Sequence, residues 1–81
     1  MAVNQTQSII DKIESGLTDF TPDVAQILKN IQDLIILEDG DGYYWSSKEM
    51  GPGYEETNDW ETAVVSIMLK HVELSKPMDD E

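Results

Sequence analysis

Val24, Ile27, Leu28, Ile31, Leu34 and Ile35 recur at steps of three and one, so an α-helix would gather all six on one face. No other stretch of the chain constrains the fold as strongly. The start of this segment is marked in kind. Thr21 is a good N-cap, Pro22 suits the first helical position, and Asp23 complements the positive end of the helix dipole. Phe20 stands just before the cap, where a hydrophobic staple begins. Asp39, Gly40 and Gly42 end the segment. Ile36 and Leu37 fall off the stripe, which leaves an alternative. Residues 34–37 can leave the helix as a strand and pair with residues 43–47 around Glu38-Asp39-Gly40-Asp41-Gly42.

Two weaker helical patterns flank this one. Asn4 and Gln7 stand at capping-box spacing, and Ile9, Ile10, Ile13 and Leu17 follow a helical face. Gly16 can end that helix in the left-handed conformation, giving a helix over about residues 5–15. Asn58 and Glu61 form a second capping box, followed by Trp60, Ala63, Val64, Ile67, Met68 and His71 on one face. Pro77 stops this last helix, and residues 77–81 read as a frayed acidic tail. Between the second and last helices, residues 39–57 show no helical period. Gly40, Gly42, Gly51, Pro52 and Gly53 punctuate them as a loop.

The expectation is therefore an all-α fold, a small three-helix (possibly four-helix) bundle with a long acidic, aromatic-rich loop. The alternative is an α+β fold with a short hairpin at about residues 34–47. The 81 residues form one small domain, 1–81, with apolar content for a single core. That core is expected to hold Ile13, Leu17, Val24, Ile27, Leu28, Ile31, Leu34, Val64, Ile67 and Met68.

Charge narrows the range of functions. Seventeen acidic residues face five lysines and no arginine, a formal net charge of −12. Such a chain repels nucleic acid and anionic membranes and attracts basic protein surfaces. The first ten residues lack a basic region and a long apolar run, so no secretory signal is expected. The longest apolar run, residues 34–37, is too short to cross a membrane. The chain has no cysteine, which fits a cytoplasmic location and excludes thiolate metal sites.

Catalytic and metal chemistry find little support. Asp39-Gly40-Asp41-Gly42 suggests a calcium loop, but the fifth and twelfth positions counted from Asp39 are Tyr43 and Met50, which cannot complete one. His71 is the only histidine and lies on or beside an apolar helix face. No serine has a nucleophile motif around it, and Gly51-Pro52-Gly53 is a turn signal, not a phosphate loop. The chain is expected to be no enzyme and to need no cofactor or metal.

What stands out is the partition of side chains. Residues 38–61 hold eight of the 17 acids and five of the six aromatics. Aromatics supply contact area at low entropy cost, while carboxylates steer a basic partner. The candidate partner-binding residues are Glu38, Asp39, Asp41, Tyr43, Tyr44, Trp45, Glu49, Tyr54, Glu55 and Glu56. Tyr43, Tyr44 and Trp45 are the expected anchors, and Trp60 is assigned to the core.

Two families of small acidic helical proteins bear comparison. Acyl carrier proteins carry their prosthetic group on the serine of an Asp-Ser-Leu motif that opens a helix. Here Glu14-Ser15-Gly16 closes one instead, which excludes that reading. Residues 21–75 resemble the immunity proteins of nuclease colicins in the order of elements. A second helix ends in Glu38-Asp39, Tyr43-Tyr44 follow it, and a further helix closes the segment. The chain departs from that pattern where Gly40 and Gly42 intervene and where Trp45 replaces the family's proline. The resemblance implies a strategy and not membership: a compact acidic protein occupying the basic groove of a nuclease or other nucleic-acid-binding protein. The competing expectation is a structural or adaptor module, a small homo-oligomer using the surplus apolar residues at 34–37, Val65 and Leu69.

Overall fold

The computed structural model describes residues 3–75, so the tail expected at residues 77–81 and the stop at Pro77 lie outside the described residues. The chain runs β1 (Val3–Asn4), α1 (Thr6–Glu14), α2 (Pro22–Asn30), β2 (Ile35–Glu38), β3 (Tyr43–Ser46), β4 (Gly53–Glu55) and α3 (Trp60–Ser75). The four strands form one antiparallel sheet in the order β1-β2-β3-β4. The fold is therefore α+β and not a helical bundle. The expected loop over residues 39–57 contains two of the strands.

The central helix stops earlier than its apolar spacing predicts. Thr21 holds the N-cap position and Pro22 opens the helix as expected, although the Thr21 side chain makes no cap hydrogen bond, but Ile31 already has extended backbone, with φ −76° and ψ 117°. Asp33 follows with φ +61°, a left-handed conformation that aspartate tolerates better than most residues. The chain thus turns at residues 31–33, and Ile35 and Ile36 enter a strand. Leu34 and Ile35 satisfy helical spacing, yet β-branched Ile35 and Ile36 also favour a pleated strand. Cross-strand partners settle the competition: Ile35 pairs with Ser46, Ile36 with Trp45, Leu37 with Tyr44 and Glu38 with Tyr43. The alternative hairpin at about 34–47 describes this pair of strands, although β1 and β4 extend it to four.

The helix ends follow local chemistry. Gly16 has φ +78° just beyond α1, the conformation expected of a helix-terminating glycine. Asn4 does not close a capping box with Gln7. Its Oδ1 instead accepts from the Thr6 backbone N–H at 3.0 Å and from the Thr6 hydroxyl at 2.8 Å. At α3 the capping role falls to Asp59 rather than Asn58. Asp59 accepts from the Glu61 backbone N–H at 3.1 Å and from the Thr62 hydroxyl at 2.9 Å.

The core lies between the sheet and the helices. Ile9, Ile10 and Ile13 of α1, Ala25 and Leu28 of α2, Ile36 of β2, and Ala63, Val64 and Ile67 of α3 are buried together with Ile31. Val24, Ile27, Leu34 and Met68 pack against this cluster while half-buried. Leu17, expected inside, is 72% exposed because the chain has already left α1 at Gly16. Trp60 packs edge-on against Phe20, with ring centroids 6.2 Å apart, and the Lys12 ammonium sits 5.2 Å above its indole. These contacts place Trp60 at the junction of α1, α3 and the segment before α2.

Leu28 and Leu17 offer a matched pair of tests. Leu28→Ala should cost about 2–5 kcal/mol, as truncations of buried leucine do, whereas Leu17→Ala should change stability by less than about 0.5 kcal/mol. Urea denaturation followed by circular dichroism measures both. Equal losses at the two positions would contradict the core described above.

Candidate functional site

Because side chains alternate along a strand, the register assigns each residue of the sheet to a face. Ile36, Glu38, Tyr43, Trp45, Gly53 and Glu55 point toward the helices. Ile35, Leu37, Tyr44, Ser46 and Tyr54 point away from them. The inner positions are buried or half-buried, with Tyr43 only 5% and Trp45 only 8% exposed. On the outer face Ile35 is 42%, Tyr44 45% and Tyr54 41% exposed. Antiparallel sheets covered on one side usually turn polar residues to water. This one turns out two aliphatic and two aromatic residues.

Backbone constraints hold the outer face in shape. Across β3 and β4, Trp45 pairs with Gly53, and its indole occupies the space a side chain there would need. A Cβ added to Gly53 would come within 2.6 Å of indole Cζ2, and closer to Cε2 and Nε1. The indole packs inward and fixes β4 beside β3. One pair along, Tyr44 and Tyr54 stack on the opposite face with centroids 4.4 Å apart and planes tilted 42°. Gly42 permits a second close approach. A Cβ there would lie 2.6 Å from the Tyr54 hydroxyl oxygen and 2.9 Å from Glu56 Cα.

The acids divide into two groups. Glu38 and Glu55 face inward and are engaged: the Gln5 side-chain amide donates to Glu38 at 3.1 Å, and the Ser66 hydroxyl donates to Glu55 at 2.8 Å. They serve packing. Asp39, Asp41 and Glu56 gather at the β2–β3 turn end of the outer face. Asp39 Oδ1 accepts from the backbone N–H groups of Asp41 and Gly42, at 3.3 Å each, which sets the turn. Among the described residues, the second carboxylate oxygen of Asp39 and the side chain of exposed Asp41 make no hydrogen bond. The Tyr54 phenol titrates above its ordinary 10.0 through partial desolvation, then the charges of Asp39 and Glu56, the neighbouring Tyr44, and Asp41. The contact of Gly42 with the Tyr54 hydroxyl brings that hydroxyl to the turn that Asp39 holds. Glu49 is also exposed, but it lies in the turn after β3, at the other end of the strand.

That other end carries a shallow depression of about 240 Å³, lined by Ile35, Leu37, Tyr44, Trp45, Ser46, Pro52 and Gly53. The outer face thus has an acidic end, an aromatic pair across its middle and an apolar hollow. Of the ten residues picked out from the sequence, Asp39, Asp41, Tyr44, Tyr54 and Glu56 come together here. Tyr43 and Trp45 are core residues, Glu38 and Glu55 face the helices, and Glu49 stands apart. Ile35, Leu37 and Pro52 join the site without having been picked out for it. The alternation of residues 35–38 against 43–46 is the signal that identifies the two aliphatics, once both segments are read as strands.

The tyrosine doublet lies within a strand, one ring on each face, so the resemblance to colicin immunity proteins does not extend to the fold. No family model matches the chain, and no curated protein or solved structure matches it. No helix among the described residues is long and apolar enough to cross a membrane.

Two outcomes test this geometry. Gly53→Ala should destabilise by about 1–3 kcal/mol through overpacking and alter the near-ultraviolet signal of Trp45. Separately, the Tyr43 phenol is held above 10.0 by burial, then by Glu38 and Asp59. A raised folded-state value favours the protonated form, so that stability is fully present below the unfolded value and is lost as pH rises through the folded one. Urea midpoints should therefore fall as pH is taken above about 10, and Tyr43→Phe should flatten that fall. An unchanged alkaline slope in Tyr43→Phe would count against the buried phenol.

Proposed function

We propose that this is a small acidic binding protein. Its outer sheet face docks on a basic, nucleic-acid-handling protein and inhibits it by occupying the nucleic-acid groove. The observation that carries the reading is the outward display of Ile35, Leu37, Tyr44 and Tyr54 beside Asp39, Asp41 and Glu56. Carboxylates at the rim would speed encounter with a cationic surface, while the rings and aliphatics would supply area to desolvate. A net charge of −12 opposes direct contact with nucleic acid or an anionic membrane and favours the proteins that grip nucleic acid. The absence of cysteine from the sequence is in keeping with action in the cytoplasm. Nothing in this reading requires a catalytic residue, a metal or a cofactor.

A second reading has its own observation. Val65, Leu69 and Val72 of α3 are exposed at steps of four and three, a second apolar stripe on a helix whose other face is already in the core. A structural or adaptor role as a homo-oligomer would use that stripe. Light scattering at varied salt separates the two. Association of copies through apolar area should hold or tighten as salt screens the repulsion between chains of net charge −12, whereas capture of a basic partner should weaken.

Immobilised protein should retain a basic protein from a native lysate, and duplex DNA or RNA should displace it. Tyr44→Ala should lose about 2 kcal/mol of binding, mostly through faster dissociation. Asp39→Lys with Asp41→Lys should instead slow association and flatten its salt dependence. Retention that nucleic acid does not compete away would refute inhibition by groove occupancy. Retention unchanged by both sets of variants would refute this face as the docking surface.

A further inference from the structure

The outer face is polarised along the strands. At the β2–β3 turn, Gly42 lies against the Tyr54 hydroxyl and the Glu56 backbone, and Asp39 accepts from the N–H groups of Asp41 and Gly42, so the tip of Tyr54 meets the acidic turn; at the far end, Ile35, Leu37, Ser46 and Pro52 line the hollow. The Tyr44–Tyr54 pair stands between them and presents ring surface to both. A guanidinium suits the first half. It stacks on a tyrosine ring and donates to carboxylates at the same time, which a compact ammonium does less well. An aliphatic side chain suits the second half, where the lining is almost wholly carbon. About three strand residues, or about 10 Å, separate the two halves. In an extended peptide, side chains two residues apart point the same way and begin about 7 Å apart, and the long arginine stem covers the remainder.

Resting on the docking reading above, we infer that the partner engages this face with an extended segment carrying arginine and, two residues away, an aliphatic side chain. The arginine lies over Tyr54 against Asp39, Asp41 and Glu56. The aliphatic group crosses Tyr44 and enters the hollow beside Ile35 and Pro52. The charge complementarity is local and directional: Asp39, Asp41 and Glu56 lie at the turn end of the face and the apolar hollow at the other, so the segment is read in one orientation.

The probe is a blocked pentapeptide, acetyl-Ser-Arg-Gly-Leu-Ser-amide, titrated into the intact protein and followed by two-dimensional NMR. Two controls accompany it. In acetyl-Ser-Arg-Leu-Gly-Ser-amide the two side chains project to opposite sides, and a citrulline version removes the charge. Shifts are expected at Ile35, Asp39, Asp41, Tyr44 and Tyr54, with both controls binding at least about fivefold more weakly. Ile35 is exposed and takes no part in the Tyr44–Tyr54 contact, so Ile35→Ser should keep the parent's melting temperature and lose the same fivefold; Tyr44→Ala, which removes that contact, should lose at least as much binding with a lower melting temperature. Equal affinity for the two arginine peptides would overturn the spaced motif. So would shifts scattered over every acidic patch. If the peptide fails but retention of the basic protein still depends on Tyr44, this inference falls and the docking reading stands. If retention is also indifferent to Tyr44, the docking reading falls with it.

Discussion

The packing of Trp45 against Gly53 holds β4 in place, and the outer face depends on that strand. β4 has only three residues, follows a proline, and brings no aliphatic side chain to the core. By itself it has little reason to be a strand. The indole lies where a side chain at position 53 would stand, closing the inner side of the pair, and the Tyr44–Tyr54 stack closes the outer side. Two aromatic contacts on opposite faces thus clamp one short strand. Only with β4 fixed do Tyr54 and Glu56 reach the acidic turn, and only then does Pro52 wall the hollow.

The helix anchoring is equally economical. The Thr6 hydroxyl accepts from the Ile36 backbone N–H at 2.7 Å, while the Gln5 backbone N–H donates to the Ile36 carbonyl oxygen at 2.7 Å. Both polar groups of a fully buried strand residue are therefore satisfied from the start of α1. α1 is fastened to the sheet by its N-terminus, and Ile9, Ile10 and Ile13 then lie over Ile36 and the rest of the core. The exposed Lys29–Glu14 ion pair between α1 and α2 adds little beside this burial.

The sequence makes some of this legible. Thr21-Pro22-Asp23 and Gly16 mark helix ends by local stereochemistry, so they can be read without knowing what packs where. Most of the stripe from Val24 to Ile31 and the face of α3 are legible for the same reason. The end of α2 is not. Leu34 and Ile35 suit either a helix or a strand, and the choice rests on Trp45 and Ser46, which are far enough along the chain to escape a local pattern. β1 is two residues long and β4 contains a glycine, so neither shows a strand signal of its own. The same limit blurred the site. Acids and aromatics cluster visibly over residues 38–61, but only strand alternation separates Tyr44 and Tyr54 from Tyr43 and Trp45, or Asp39 and Asp41 from Glu38 and Glu55.

A sheet that shows an apolar face to water invites self-pairing, and the dimensions of this one bear on that hazard. Its outermost strands, β1 and β4, span two and three residues. Continuous growth of a sheet from molecule to molecule needs a long, flat row of free backbone donors and acceptors at an edge. Among the described residues neither border offers one, and Pro52 has no N–H to give. Copies that approach edge to edge also bring together two chains of net charge −12. The same outline that makes the sheet small thus lets the protein expose an apolar face without becoming the template for a fibre.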